Sequence, residues 1–305
     1  MSWAFALVLA MIIDAILGEP RWLWSRLTHP AILMGRAVGV FDQQLNAPPA
    51  RRVKGVLAIV VLAVGAVLVG AAITKLGPIA EILCAAVLLA QRSLVQHVQA
   101  VANALRLSTG DGRTAVAMIV SRDCRAMTEA QIARSAIESA SENLSDGIVA
   151  PAFWFLLAGP AGILFYKAIN TADSMIGYRT PQYEKFGWAA ARCDDLLNLI
   201  PARLTGALIA LLGGRLNVWN AIRRDAAQHR SPNAGWPEAA MAQVLGVALA
   251  GPRSYDGKMQ PLAWVNGEAR REIGPDEIDA AIGVLWRVWA LLLALVAMYG
   301  VLTAI

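Results

Sequence analysis

The chain has 305 residues, of which 57% are hydrophobic and only 16% charged, and its formal net charge is +5. Soluble domains carry about 25% charged residues, so this composition favours an integral membrane protein. Lysine and arginine are scattered, and no basic run with interleaved aromatic residues occurs, which argues against nucleic-acid binding. The net positive charge is better explained by positively charged loops that flank membrane helices, and by anionic substrates.

Four apolar segments predict membrane-spanning helices in a lipid bilayer. The clearest, residues 55–74, has about the 20 residues that a bilayer core requires. Another begins near residue 280 and runs to the end of the chain. Residues 3–17 and 78–90 are shorter, but each can be extended into a tilted span.

Two further apolar segments are interrupted. Residues 147–166 contain several glycines and prolines, and residues 196–212 contain Pro201 and Arg203. Broken helices are tolerated at membrane depth where the backbone lines a protein-walled or watery cavity, so both segments predict re-entrant or partly inserted helices. The predicted fold is an all-α polytopic membrane protein with four to six transmembrane helices, two of them broken or re-entrant, with cytoplasmic helical and loop segments. We expect residues 1–305 to form one membrane-embedded catalytic domain.

The loops predict an orientation. Residues 18–54 contain six lysines and arginines against two acidic residues, which predicts a cytoplasmic loop. The polar stretches 91–146 and 217–279 then also face the cytoplasm. We therefore expect a multi-pass protein of the cell (inner) membrane with its active site on the cytoplasmic side.

A predicted helix over residues 122–146 carries an acidic face. Glu138, Glu142 and Asp146 are spaced four residues apart, which places them on one side of a helix, with Arg134 one turn before. Carboxylates one turn apart can share Mg²⁺, which prefers oxygen ligands and usually also holds substrate phosphates. The alternative is an amphipathic helix whose charges face water.

The segment YKAINTADSMIGY places polar groups directly after an apolar run. Lys167, Asn170, Asp173 and Ser174 fall within about two helical turns, a pattern that favours a phosphate and metal site. The alternative is a lysine whose amino group reaches the membrane boundary while its stem stays apolar.

In RCDDLLNLIPAR, Asp194 and Asn198 share a helix face, and Asp195 points about 100° away. These aspartates are candidates for a metal site. They could equally provide the negative charge that stabilises a helix N-terminus, or pair structurally with Arg203.

Three further positions are candidates for substrate contact. Asp14 lies deep in the first apolar segment, where an ionised carboxylate is costly. His29 has a pKa range suited to either a structural or a catalytic role. The motif SPNAGW, which contains Asn233, is a turn signature whose backbone amides could also bind an anion.

Seven ordered blocks extend over nearly the whole chain. They are D-x-x-x-G-E-P from Asp14, HP at His29, SRD at Ser121, ESASENLSDG from Glu138, YKAINTADSMIGY from Tyr166, FGWAAARCDDLLNLIPAR from Phe186 and SPNAGWPEAAMA from Ser231. Together they resemble the adenosylcobinamide-phosphate synthase family of cobalamin biosynthesis (CobD/CbiB).

The resemblance implies an ATP-dependent amide ligase. Its substrates would be the corrinoid adenosylcobyric acid and (R)-1-amino-2-propanol or the phosphate of that amine, and its product adenosylcobinamide or its phosphate. ATP and Mg²⁺ would be required, although no G-x-x-x-x-G-K-[ST] loop occurs, so ATP would be bound unconventionally. Association with other corrinoid-pathway membrane enzymes and a homo-oligomer are both left open.

Residue chemistry then suggests roles within that reaction. Mg²⁺ ligands would be Glu138, Glu142, Asp146 and Asp173, with Asp194 and Asp195 as second candidates. Phosphate groups would be contacted by Arg122, Lys167 and Arg203, and the substrate and ATP oriented by Asn143, Asn170, Ser174, Asn198 and Asn233. The general base for the amine would be Asp14 or His29.

Two other functions fit the same residues. A membrane transferase acting on prenyl or alcohol phosphates also uses acidic clusters that hold Mg²⁺, but such enzymes generally show paired D-x-x-x-D motifs. A transporter also contains broken helices with buried charges. The chain shows no internal repeat, which argues against a transporter.

Overall fold

The structure is a computed structural model that describes residues 2–120, 122–255 and 258–303. In chain order its α-helices are α1 (Trp3–Leu17), α2 (Arg21–Trp24), α3 (Pro30–Leu45), α4 (Arg51–Lys75), α5 (Pro78–Leu88), α6 (Gln91–Leu107), α7 (Thr109–Val116), α8 (Glu129–Leu144), α9 (Ala150–Ile176), α10 (Trp188–Leu197), α11 (Leu199–Leu212), α12 (Trp219–Ala226), α13 (Gly235–Leu245) and α14 (Pro275–Leu302).

Shorter elements complete the described chain. A π-helix (Ser145–Val149) joins α8 to α9, and a 3₁₀-helix (Leu216–Val218) precedes α12. The strands are β1 (Leu249–Ala250), β2 (Arg253–Tyr255), β3 (Lys258–Gln260) and β4 (Trp264–Val265), paired antiparallel as β1 with β4 and β2 with β3. So little strand confirms the all-α prediction.

Hydropathy and length identify the membrane spans. Among the described residues, four helical stretches are long and apolar enough to cross a bilayer: Arg51–Lys75, Pro78–Leu107, Glu129–Ile176 and Pro275–Leu302. A fifth is added if α10 and α11 count as one span. This confirms a polytopic membrane protein. Helix α1 is apolar but has only 15 residues, so its extension into a tilted span stays a prediction.

Both predicted interruptions are present. Helix α9 leaves helical geometry at Ala158 and at Gly159, whose φ is 57°, directly before Pro160. A Cβ on Gly159 would lie 2.5 Å from the ring of Trp3, so only glycine fits this turn. Helices α10 and α11 meet at a bend of 46°. Pro201 falls in the first turn of α11, where its missing N–H has no intrahelical partner to lose.

The helix predicted from residue 122 begins later, at Glu129. Thr128 caps it, because its hydroxyl accepts a hydrogen bond from the Gln131 N–H while the Gln131 side chain accepts one from the Thr128 N–H. This reciprocal cap fixes the start of α8. Arg122 therefore lies in the preceding loop, and Ser121 of the SRD block lies outside the described residues.

The chain divides into two compact units. The first contains Met1–Arg92, Asp146–Leu199 and Leu293–Ile305, and in it α9 packs against α3, α4, α5 and α10. The second contains Ser93–Ser145 and Ile200–Leu292, and in it α13 packs against α8 and α12. The prediction of a single domain over residues 1–305 is not tested by this division and stays a prediction.

Candidate functional site

The polar cluster of the second unit centres on Glu138, a buried carboxylate of α8. Arg122 donates from Nη2 to Oε2 of Glu138 at 2.7 Å. Arg253 donates from Nη1 to Oε2 at 2.9 Å and from Nη2 to Oε1 at 3.2 Å. Two guanidinium groups therefore share one carboxylate, in an arrangement that we call the Glu138 clamp.

The backbone completes the clamp. The Ala250 N–H donates to Oε1 of Glu138 at 2.9 Å, and Ala250 has a φ of 55°, which is uncommon for a residue with a side chain. Backbone strain of this kind persists where surrounding contacts over-determine it. Here the strained residue aims its N–H at the buried carboxylate, so the β1–β2 connection is part of the cluster.

Two cavities lie against the clamp, and Arg122, Glu138 and Arg253 line both of them. One has a volume of about 120 Å³ and is also lined by Arg134 of α8. The other has a volume of about 230 Å³. The second cavity brings together further polar side chains, namely Ser139, Glu142, Asn143, His229 and Glu238.

Glu238 and His229 lie close together at the larger cavity. Oε2 of Glu238 lies 3.7 Å from Nε2 of His229. Burial, with the nearby Glu138 charge, raises the pKa of Glu238 well above its usual range, and burial lowers the pKa of His229. His229 Nδ1 lies 3.0 Å from the backbone nitrogen of Ser231 and 3.3 Å from its carbonyl oxygen, so Ser231 has a partner for this ring nitrogen in either tautomer.

The remaining predicted residues of this unit make local contacts. Asn143 is exposed and donates to the Ser139 carbonyl at 2.9 Å, one turn back along α8. Arg203 donates to the Asn233 side chain at 3.2 Å and stacks over the Trp236 ring at 4.9 Å. The SPNAGW turn thus binds Arg203, a contact that the sequence analysis did not anticipate.

The polar cluster of the first unit joins α9 to α10. The Asn170 amide nitrogen donates to Asp194 Oδ1 at 3.1 Å and to Asp146 Oδ2 at 3.3 Å. Asn198 donates to Asp194 Oδ2 at 3.1 Å and accepts from the Tyr166 hydroxyl at 3.0 Å. Four of the predicted site residues therefore form one hydrogen-bonded network.

Lys167 supplies the positive charge near this network. It is half-buried on α9, and the negative charges of Asp146, Asp194 and Glu19 act on it. Interaction with three acidic residues inside the protein distinguishes Lys167 from a lysine that only extends to the membrane surface. The position is compatible with the predicted phosphate-contact role, which stays a prediction.

Asp14 and His29 each cap the N-terminus of a helix in the first unit. Asp14 is buried, and its Oδ2 accepts a hydrogen bond from the Gln91 N–H at 2.8 Å, at the start of α6. His29 caps α3 by accepting from the Ala31 N–H at 3.2 Å, and its ring packs against Trp24 at 4.4 Å. Burial lowers the pKa of His29. Both residues have a structural task whether or not they touch substrate.

The other predicted residues of the first unit are Asp173, Ser174 and Asp195. The Asp173 carbonyl accepts from the Gly177 N–H at 2.7 Å, in the last turn of α9. Ser174 is exposed. Asp195 lies 3.8 Å from Arg192, a loose pair on the same helix.

The side chains can be tested for a fit to Mg²⁺. No group of three or more His, Cys, Asp or Glu within the described ranges is placed to hold a metal ion. Mg²⁺ needs only one or two carboxylates beside waters and substrate phosphates. Asp146 and Asp194, which share the amide nitrogen of Asn170, fit that role. Glu138 does not, because both of its oxygens are taken by guanidinium groups.

Sequence reasoning missed three residues of the second unit's cluster. Arg253 lies in GPRSYDG, a segment with the composition of a turn, and Glu238 is a lone carboxylate in the apolar run GWPEAAMA. His229 is a lone histidine two residues before the SPNAGW motif. The signal for Glu238 was present in the sequence, because an ionisable residue in an apolar helix is costly unless it has a function or a partner.

Comparison with known proteins gives one consistent result. The model of the CobD/CbiB protein family matches residues 7–285. A cobalamin biosynthesis protein CobD from Sinorhizobium fredii is 47% identical over 301 residues, covering 92% of both chains. Proteins of the same name from Brucella suis and Rhodobacter capsulatus are each 46% identical, covering 95% and 88% of this chain and 94% and 88% of their own. No solved structure matches.

Proposed function

The chain belongs to the CobD/CbiB family and acts in cobalamin biosynthesis, and we propose that it is the amide-forming ligase of that pathway. It joins the free propionate carboxylate of adenosylcobyric acid to (R)-1-amino-2-propanol or its phosphate. The product is adenosylcobinamide or its phosphate. ATP drives the reaction, because a carboxylate and an amine do not condense unaided in water.

The reaction divides into two balanced steps. A carboxylate oxygen of the corrinoid attacks the terminal phosphorus of ATP, giving an acyl phosphate and ADP. The amine nitrogen then attacks the acyl carbon, the C–O bond to phosphate breaks, and the nitrogen loses a proton. Both steps develop negative charge on phosphoryl oxygens, which positioned cations stabilise.

The cluster of the second unit suits the binding of a small amine. Its 230 Å³ cavity presents the carboxyl groups of Glu142 and Glu238 to a ligand, and an ammonium group bound there would favour the ionised form of Glu238, which burial otherwise disfavours. Arg122, at the wall of the same cavity, would contact a phosphoryl group. The cavity is too small for a corrinoid ring, since sites for drug-sized ligands take about 300–1,000 Å³.

The cluster of the first unit suits a phosphate-bound Mg²⁺. Asp146 and Asp194 would hold the ion, with Asn170 orienting both carboxylates and Lys167 contacting phosphate oxygens. Bound there, Mg²⁺ would neutralise phosphate charge and polarise the phosphoryl group. The remaining predicted ligands, Glu142, Asp173 and Asp195, are further candidates.

We place the protein in the cell (inner) membrane with the loop 18–54 on the cytoplasmic side, because that loop is rich in lysine and arginine. ATP is present on that side. The transferase and transporter alternatives lose support, since the relatives named above are cobalamin biosynthesis proteins. Association with other enzymes of the pathway, or a homo-oligomer, stays open.

The observation that carries this proposal is the buried set of guanidinium and carboxylate groups around the two cavities of a chain whose relatives act in cobalamin biosynthesis. The test uses the purified full chain in lipid nanodiscs with adenosylcobyric acid, Mg²⁺, ATP and either aminopropanol or its phosphate. Mass spectrometry should detect the amide, with one ADP formed per amide. Amide formation without ATP, or none with either amine, would overturn the proposal.

A further inference from the structure

The smaller cavity of the second unit has a positively charged lining. Three guanidinium groups, those of Arg122, Arg134 and Arg253, face two carboxylates, those of Asp123 and Glu138. The Asp123 charge is already matched, because Arg125 donates to it at 2.7 Å. Among the residues that line the cavity, Glu138 then faces three arginines, so the lining itself carries an excess of positive charge; outside the lining, the charge of Glu272 also acts on Arg134.

Arg134 is the least compensated of the three. It is buried on α8, only 9% exposed, and its guanidinium stacks over the Trp264 ring at 4.7 Å. Arg271 stacks over the same ring at 4.5 Å. Within the described ranges no carboxylate lies within ion-pair distance of Arg134, although the charges of Glu138 and Glu272 act on it from further away, opposed by those of Arg253 and Arg271. A buried cation held this way favours an anionic ligand.

Arg253 also has unused donor capacity. Both of its terminal nitrogens bind Glu138, yet its Nε is buried without a hydrogen-bond partner among the described residues. Buried unsatisfied N–H groups are rare, and this one is closed off from solvent, so it reaches a ligand only if the Arg253 side chain shifts. A guanidinium group is built to present two parallel donors to a planar or tetrahedral oxyanion.

The volume limits what can enter. A cavity of about 120 Å³ has room for a tetrahedral oxyanion and a few waters, but not for a nucleoside or a corrinoid ring. Only the charged end of a larger molecule, or a free anion, fits.

We propose that this cavity is a phosphoryl-binding pocket in which Arg134 and Arg253 act with Arg122, and in which the Glu138 carboxylate holds the arginines in place until the ligand arrives. The proposal deepens the proposed ligase function and rests on it for the identity of the ligand. Three phosphoryl groups share the required chemistry: the terminal group of ATP, that of a phosphorylated amine, and the phosphate released.

The test measures binding of inorganic phosphate to the full chain in nanodiscs by calorimetry, without corrinoid or ATP. R134Q and R253Q should each weaken binding about tenfold or more, the effect expected when a charge-assisted contact is lost. R224Q is the matched control, because Arg224 is an exposed arginine that lines a different cavity of the same unit, and it should leave binding unchanged.

E138Q gives the sharpest prediction. Removing the competing negative charge while keeping the shape should strengthen phosphate binding several-fold, whereas a purely structural Glu138, or a metal ligand, would give unchanged or weaker binding. If E138Q or R134Q does not fold, R253K and R134K decide the question, since lysine keeps the charge but loses the paired donors and should weaken binding measurably. Unchanged binding in both lysine variants would overturn the proposal.

The source of the phosphoryl group is determined by competition. ATP, aminopropanol phosphate and unlabelled phosphate each compete with bound, labelled phosphate, in the wild-type protein and in R134Q. The competitor whose affinity falls most in R134Q identifies the ligand. If the substitution changes the affinity of none of the three, the proposed pocket is overturned. The ligase assay runs in parallel. Amide formation with phosphate binding indifferent to Arg134 and Arg253 rejects the pocket and keeps the ligase, whereas the reverse result rejects the ligase and keeps the pocket.

Discussion

Arg253 holds Glu138 with both terminal nitrogens, at 2.9 and 3.2 Å, across 115 positions of the chain. Arg122 adds a third guanidinium contact at 2.7 Å. The exposed fractions of the three side chains are 8% for Glu138, 13% for Arg122 and 15% for Arg253. At this burial the ion pairs are not screened as surface pairs are, so losing one partner has a large cost.

Removing the shared carboxylate should therefore destabilise the protein more than removing one arginine. We expect E138A to lower the free energy of unfolding by about 3–5 kcal/mol, because it leaves two buried guanidinium groups without their partner. R253A should cost less, since Glu138 keeps Arg122. Thermal unfolding of both variants in detergent at one pH tests whether E138A loses more stability than R253A. Equal losses would show that the clamp is not the stabilising unit.

The stability of the wild-type protein should fall as pH rises above about 4.5, through the ionisation of Glu238. Its pKa in the folded state is raised well above the ordinary value of 4.5 by burial and by the charge of Glu138. Above pH 4.5 the folded state then binds more protons at this site than the unfolded state, so stability decreases with pH until the folded-state pKa is passed.

The variant E238Q should lack this component of the pH dependence, because glutamine does not titrate. The measurement is the denaturation midpoint of both proteins between about pH 5 and 8. The stability of E238Q relative to wild type should increase with pH. Parallel curves for the two proteins would contradict the assignment.

Asp14 offers a test of structure against catalysis. D14N keeps an oxygen that can accept the Gln91 N–H, so we expect near wild-type stability. D14A leaves that buried N–H unsatisfied and should cost about 1–3 kcal/mol. If Asp14 is also the general base, D14N should fold normally yet lose about 10²–10⁴ in rate. A stable and fully active D14N would assign Asp14 to the helix cap alone.

Three glycines of α4 should respond differently to alanine. A Cβ on Gly55 would lie 1.9 Å from the Phe186 carbonyl oxygen, and one on Gly70 would lie 2.3 Å from the Ala161 Cα. G55A and G70A should therefore destabilise by about 1–3 kcal/mol or more, because backbone must move. G65A is the control on the same helix. Its Cβ meets nothing within 4 Å, so higher helix propensity should stabilise by up to about 1 kcal/mol. The thermal midpoints of the three variants, compared with that of the wild-type protein, test these expectations.

Much of the fold could be predicted from the sequence because bilayer physics is local. Hydrophobic run length predicted the spans at 55–74 and towards the C-terminus, and the glycine and proline interruptions predicted the breaks in α9 and before α11. The predicted start of α8 was wrong, since apolar periodicity extends to residues before the reciprocal cap between Thr128 and Gln131, where the helix begins.

The site was harder to predict because its partners are remote in sequence. Asn170, Asp194 and Asp146 were all predicted site residues, and the structure joins them by hydrogen bonds. The contact of Arg253 with Glu138 could not be predicted, because no sequence pattern indicates the positive φ at Ala250 that brings this segment to the carboxylate. Glu138 was expected to hold Mg²⁺, and its two arginine partners make that role unfavourable in this arrangement. Convergence of the acidic residues into one magnesium pocket stays a prediction.

The cap on α6 bears on how the polypeptide enters the bilayer during synthesis. Asp14 emerges from the ribosome long before Gln91, so α1 carries a carboxylate in an apolar segment with no amide to bind. A charged residue at the centre of an inserted helix costs about 2.5–3.5 kcal/mol on translocon scales, and Asp14, three residues before the end of α1, should cost less than this. If α1 is a tilted span, its stable integration is therefore expected to be completed only when α6 has been made, which couples the insertion of the first ninety or so residues.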